Sequence, residues 1–242
     1  MTDPQTSSDR APDERIICAL DVPTTAEAAA LAERIGDAIG FYKVGLQLFA
    51  VDGMALAREL KARGRKIFLD WKLHDIGATV EKATANLAGA DCDLLTVHAR
   101  PQVMAAAARG AAGSSMKVLG VTVLTSLTAE DLSADDHSLS PADLVERRVR
   151  QALEAGIDGV VSSPHEAARA RALADEAGRP DFLIVTPGVR PVGAALDDQA
   201  RAATPEAALQ AGATHLVIGR PITAASDPHA AAQAIAQQIA LI

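Results

Sequence analysis

The segment KIFLDWKLHDIGAT, residues 66–79, sets an acid and a base at the end of an apolar run. Asp70 and Lys72 are two apart, so on an extended chain both point to one face while Trp71 points to the other. Charges on an inward face are costly unless they are paired or used. An ammonium held against a carboxylate suits two tasks, stabilising a developing negative charge and delivering a proton to it. Asp75 follows in the turn, and Gly77 lets the chain bend before a helix expected to begin at Thr79. Other apolar runs also end on chemistry-bearing residues: Asp21, Lys43, His98, Thr125, Ser162, Pro187-Gly188 and Gly219-Arg220. Taken singly, each reads as a solvated strand end. Their weight comes from one rim that can gather them all.

A recurrence of short β-branched runs must do the gathering. These begin near Arg15, Phe41, Lys66, Asp91, Lys117, Asp158, Asp181 and Thr214, and they predict eight strands. The first five start about 25 residues apart, the length of a strand, a helix and two short loops. Ala-rich stretches between them carry helix punctuation. Ser140-Pro141 and Thr204-Pro205 predict an N-cap followed by proline, and Ser163-Pro164-His165-Glu166 predicts a capping box. Gly64, Gly156, Gly178 and Gly212 stand where helices should end. This alternation predicts an α/β chain forming a single closed (β/α)8 barrel, a TIM barrel, over residues 15–242, after a loose tail over 1–14. No Gly-x-Gly-x-x-Gly follows the first strand, which argues against a dinucleotide-binding sheet. Two long connections, near 126–140 and 187–203, fall on the C-terminal side of a strand, where barrels keep their active sites. They are expected to act as lids or ligand grips, with Glu130–Asp136 as a solvated loop.

Composition narrows the function classes. Of 242 residues 49% are hydrophobic and 22% charged, enough for a sizeable core and inconsistent with disorder. A net charge of −8 argues against general nucleic-acid binding but allows a local cationic phosphate site. Aromatic residues, at 2%, are too few for base-stacking platforms. Cys18 and Cys92 lie in apolar runs without CxxC or Cys/His spacing and read as free buried thiols in a reducing compartment. The histidines show no ligand spacing, so no metal site is expected. Gly110 to Lys117 lacks the Gly-Lys-Ser/Thr ending of a phosphate loop. The polar N-terminus has no signal-peptide core and no apolar run is long enough to span a bilayer, so a cytoplasmic location without membrane contact is expected.

Asp70-x-Lys72-x-x-Asp75-Ile76 after an apolar strand resembles the signature of the orotidine 5′-phosphate decarboxylases. Leu20-Asp21, Tyr42-Lys43-Val44-Gly45 and Val123-Leu124-Thr125-Ser126 resemble the bacterial form of that family. So do Thr186-Pro187-Gly188-Val189-Arg190, Asp198-Gln199 and Ile218-Gly219-Arg220-Pro221. The resemblance runs, in order, over about residues 15 to 225. It implies decarboxylation of orotidine 5′-phosphate to UMP and CO₂, the last step of de novo UMP synthesis, by a homodimer with no cofactor. It further implies that Lys72 gives the proton to C6 and that Asp70 lies beside the departing carboxylate, within a Lys43-Asp70-Lys72-Asp75 charge array. By the same resemblance Asp75 and Thr79 reach the neighbouring subunit's site. Asp21 and Lys43 hold the ribose, Thr125 meets the pyrimidine, and Arg190, Gln199, Gly219 and Arg220 grip the phosphate.

Those residue types suit the chemistry independently. Loss of CO₂ from C6 leaves an sp² carbanion that the ring cannot delocalise, and an ammonium beside it both stabilises and protonates it. Two alternatives stay open. Magnesium-dependent sugar-phosphate decarboxylases and aldolases of the same barrel group share Asp-x-Lys-x-x-Asp but carry a metal-binding Glu where this chain has Lys43, whose ammonium would repel the ion. A non-catalytic nucleotide-binding barrel would have no need to keep Lys72.

Overall fold

Parallel strands cannot be joined by hairpins, and helical crossovers join them here. The computed structural model describes residues 12–90, 92–125, 127–134, 138–191, 203–240 and 242. Its strands are β1 (Ile16–Ala19), β2 (Phe41–Gly45), β3 (Lys66–Leu73), β4 (Leu94–His98), β5 (Lys117–Val121), β6 (Gly159–Val161), β7 (Leu183–Pro187) and β8 (His215–Ile218). Each pairs in parallel with the next, and β8 closes on β1 with Cys18 opposite Ile218. The helices are α1 (Thr25–Ile35), α2 (Leu46–Phe49), α3 (Gly53–Ala62), α4 (Gly77–Ala88), α5 (Pro101–Ala111) and α6 (Ala129–Ala134). They continue with α7 (Pro141–Ala155), α8 (Ala167–Glu176), α9 (Pro205–Gln210), α10 (Arg220–Thr223) and α11 (Pro228–Ile239). The expected eight-stranded barrel is what forms.

Strand alternation sorts the apolar residues into two cores. Ile17, Ala19, Phe41, Phe68, Leu94, Leu119, Val185 and Val217 fill the barrel interior, while Ile16, Cys18, Tyr42, Leu69, Trp71 and their neighbours pack outward against the helices. Both cysteines are free and buried, and burial pushes the Cys18 thiol up to about 12. At the N-terminal rim, half-buried carboxylates finish the sheet. Asp93 accepts from the Ile67 N–H at 2.7 Å and from Lys61 Nζ at 2.9 Å, and Asp158 accepts from the Val118 N–H at 2.9 Å. The end of the expected tail is tied to the same rim by Glu14–Lys66 at 2.7 Å, and residues 1–11 lie outside the described set.

Local signals hold with three exceptions. Ser140 and Thr204 cap α7 and α9 as expected, each with proline in the first turn. Gly64, Gly156, Gly178 and Gly212 follow their helices at positive φ. The Ser163 hydroxyl, however, accepts from the His165 N–H at 3.2 Å inside a turn, and α8 starts only at Ala167, so no capping box forms. Helix α4 begins at Gly77, two residues before Thr79. The acidic stretch expected to be a loop is helical from Ala129 to Ala134, because Thr128 and Asp131 cap one another and Leu132 is buried.

Candidate active site

The inward series on each strand changes character towards its C-terminal end. Below, it is aliphatic and aromatic; above, it continues as Asp21, Lys43, Asp70 and Lys72. Together with Thr125, Arg190, Gly219 and Arg220, these residues line one cavity of about 640 Å³, a size suited to a small ligand. Charge closes the layer that apolar residues build.

Four ionised side chains form a continuous line. Lys43 Nζ donates to Asp21 Oδ1 at 2.9 Å and stands 3.5 Å from Asp70 Oδ2, while Lys72 Nζ donates to Asp70 Oδ1 at 2.8 Å. Lys43 and Asp70 are nearly excluded from solvent, so each relies on its partners. Burial alone would raise the Asp70 carboxyl, but Lys43, Lys72 and a hydroxyl from Thr96 hold it below the ordinary carboxylate range. For Lys43, burial favours the neutral amine, yet Asp70 and Asp21 outweigh it and the pKa is raised. Both groups are therefore charged at neutral pH.

The backbone departs from a regular strand to make this possible. Pairing of β3 with β4 runs through Leu69↔Leu95 and resumes at Leu73↔Val97, so β3 spends four steps where β4 spends two. Lys72 absorbs the excess at φ 50, the left-handed region, which costs a non-glycine residue roughly 1–2 kcal/mol. Its N–H donates to Thr96 Oγ1 at 2.9 Å, and that hydroxyl donates to Asp70 Oδ1 at 3.0 Å. Gly45, at the end of β2, leaves the necessary space beside the other pair. A Cβ there would stand 2.6 Å from Asp21 Oδ1 and 2.8 Å from Lys43 Nζ.

The same cavity also carries groups suited to an anion, at the ends of β7 and β8. Arg190 is buried beside the cavity, and its N–H donates to the Ala203 carbonyl at 2.9 Å, which with the Val189↔Ala203 bridge joins the two ends of the long β7 connection. Gly219 caps α10, whose first residue is Arg220. Gln199 belongs to residues 192–202, outside the described set.

Other expected site residues stand apart. Asp75, on the β3–α4 connection, and Thr79, in the first turn of α4, are exposed and do not line the cavity of their own chain. Asp75 Oδ1 accepts from the Ile76 N–H. Beside it Ile76 is 72% exposed, and Leu46 and Phe49 are also more than half exposed on the same side of the barrel. His98 packs against His74 with ring centroids 5.2 Å apart, and burial together with His74 and Lys72 lowers its pKa. Sequence reasoning missed Thr96 and gave Gly45 no role. Thr96 reads as an ordinary strand residue, although counting inward from Leu94 puts it in the Asp70 layer. No local signal distinguishes Gly45.

Similarity to known proteins follows the whole barrel. The family model described as "Orotidine 5'-phosphate decarboxylase / HUMPS family" matches residues 14–235. An orotidine 5'-phosphate decarboxylase of Caulobacter vibrioides is 63% identical over 228 residues, covering 94% of this chain and 98% of that protein. One from Methylobacterium sp. is 51% identical, covering 99% of each. Among solved structures, the orotidine 5'-phosphate decarboxylase of Lactobacillus acidophilus superposes with a TM-score of 0.81 at 37% identity, covering 94% of this chain and 99% of that one. A match along this length means that the chain belongs to the orotidine 5′-phosphate decarboxylase / HUMPS family.

Proposed function

We infer that the chain removes CO₂ from orotidine 5′-phosphate to give UMP, with Lys72 as the proton donor to C6. The observation that carries this reading is Asp70 held between two ammonium groups, Lys43 and Lys72, on the wall of a cavity that also presents Arg190 and Arg220. The phosphate dianion is bound by Arg190, Gly219, Arg220 and Gln199, the ribose hydroxyls by Asp21 and Lys43, and the pyrimidine edge by Thr125. Binding energy gathered at the phosphate, away from the reacting carbon, holds the carboxylate next to Asp70. The C6–CO₂ bond then breaks with its electron pair left on C6. Lys72 stabilises that charge and donates a proton to C6, and the resulting amine is reprotonated from solvent. Protons and charge balance without an oxidant or reductant.

Lys43 separates this reading from its magnesium-dependent alternative, since its ammonium already fills the space between the two carboxylates. Exposure of Asp75, Thr79 and Ile76 on the cavity side supports a homodimer in which Asp75 and Thr79 complete the neighbouring site. No helix among the described residues is long and apolar enough to cross a membrane.

The test is the loss of orotidine absorbance on adding the nucleotide, with and without EDTA, for wild type and Lys72→Ala. Turnover that ignores EDTA and falls about 10²–10⁴-fold in the variant is expected for removal of a proton donor. Absence of wild-type turnover overturns the reading. Mixing inactive Lys72→Ala with inactive Asp75→Ala should restore activity if sites are shared, because one site of each hybrid is then intact.

A further inference from the structure

We propose that Thr96 is a positioning residue for the proton transfer: its single hydroxyl clamps the Asp70 carboxylate and the Lys72 backbone together, so that Lys72 Nζ is aimed at the reacting carbon. The proposal rests on the decarboxylase reading above.

The hydroxyl has one proton and two lone pairs, and both capacities are committed. It accepts from the Lys72 N–H at 2.9 Å and donates to Asp70 Oδ1 at 3.0 Å. Thr96 is wholly buried on β4, so no water can substitute at that position. The amide it serves belongs to the residue that takes up the register excess of β3. Where a regular ladder would offer that amide a carbonyl of β4, the structure offers a side chain. Lys72 at φ 50 is thus held in a costly conformation by a bond that only a hydroxyl at 96 supplies.

The same atom matters during the reaction. Asp70 Oδ1 is shared by Lys72 Nζ at 2.8 Å and by Thr96, while Oδ2 faces Lys43 at 3.5 Å. When Lys72 gives up its proton, its hold on Oδ1 weakens, and Thr96 remains as the fixed donor on that oxygen. The charged groups around Asp70 are Lys43 from β2, itself paired with Asp21 beyond β1, and Lys72 from β3. His98 on β4 faces Lys72. Thr96 is the uncharged member of this set. It can orient the carboxylate without adding to the charge balance.

Thr96→Val keeps the branched shape and removes the hydroxyl, and Thr96→Ser keeps the hydroxyl. Measured on orotidine 5′-phosphate, Thr96→Val is expected to lower kcat about 10- to 100-fold, the worth of one hydrogen bond to a charged group, with KM changed by less than about threefold. The acid limb of its kcat–pH profile should move to higher pH, because Asp70 loses a donor, and Thr96→Ser should restore both rate and profile. Thr96→Val with wild-type kcat, an unmoved acid limb, or a loss that only follows the folded fraction by circular dichroism overturns the proposal. If Thr96→Val does not fold, Thr96→Cys against Thr96→Ser decides it, since a thiol is a weak donor; equal rates overturn the role and a lower rate for Cys supports it. Failure of the decarboxylase reading looks different, because wild type itself would then show no turnover.

Discussion

Gly45→Ala should damage the site while sparing the barrel. The backbone at Gly45 has φ −86 and ψ −176, extended geometry that alanine adopts freely, and glycine in a strand is about 0.5–1 kcal/mol less favourable than alanine. The added methyl would lie 2.6 Å from Asp21 Oδ1 and 2.8 Å from Lys43 Nζ. Both are ends of flexible side chains, so the clash is relieved by moving them about 0.6–0.8 Å to ordinary contact, with little cost to folding. Those ends, however, are the groups proposed to hold the ribose, and Lys43 is also a neighbour of Asp70 at 3.5 Å. Misplacement on the order of 1 Å in a positioning contact costs about 10²-fold, so kcat/KM should fall roughly 10- to 100-fold. The assay pairs steady-state decarboxylation with a thermal melt, in which Tm should shift by no more than a few degrees. A variant with kcat/KM within about twofold of wild type, or with activity lost only in step with folded protein, would refute the reasoning.

A Gly110→Ala variant should behave in the opposite way, because a Cβ there would come within 2.3 Å of the Glu81 carbonyl oxygen where α5 crosses α4. Backbone has no room to give, so about 1–3 kcal/mol of stability should be lost in urea unfolding while the activity of folded molecules is kept. At the other rim, Asp93→Ala leaves the buried Ile67 N–H without its acceptor and should cost about 1–3 kcal/mol by the same measurement, again without a change in KM. The charge line should also mark the pH dependence of stability. Asp70 is held below the unfolded value of about 3.9, so its contribution is full above that pH and drains as pH falls through the folded value. Lys43 is raised above the unfolded value of about 10.4, so its contribution is full below that pH and is lost as pH rises through the folded value. The unfolding free-energy difference between wild type and Asp70→Asn should therefore shrink on acidification. Growth of that difference at low pH would contradict the assigned direction.

The barrel and most of the rim were legible in the chain because they depend on patterns that local chemistry enforces. Apolar runs recur about 25 residues apart, each separated by a helix with its own caps and terminal glycine, and parallel pairing leaves a closed barrel as the way to use them. Alternation then assigns Asp21, Lys43 and Asp70 to the inner face from their positions alone. Periodicity fails where a residue is used against its local preference. Nothing near Lys72 announces a left-handed backbone in a strand, because the register excess exists only between β3 and β4. Thr96 looks like any β-branched residue until that excess leaves the Lys72 N–H without a carbonyl. Gly45 is explained by two side chains that reach it from β2 itself and from the loop after β1. At Ser163 the hydroxyl written as a helix cap serves the His165 N–H inside a turn instead, and α8 starts only at Ala167. The sequence by itself thus determined which elements form and which charges face inward, since both follow from the spacing of neighbours along one chain. Tertiary structure alone decided how those charges are held, since hydrogen-bond direction, strand register and the space for a missing methyl are relations between chain segments that meet only after the barrel closes.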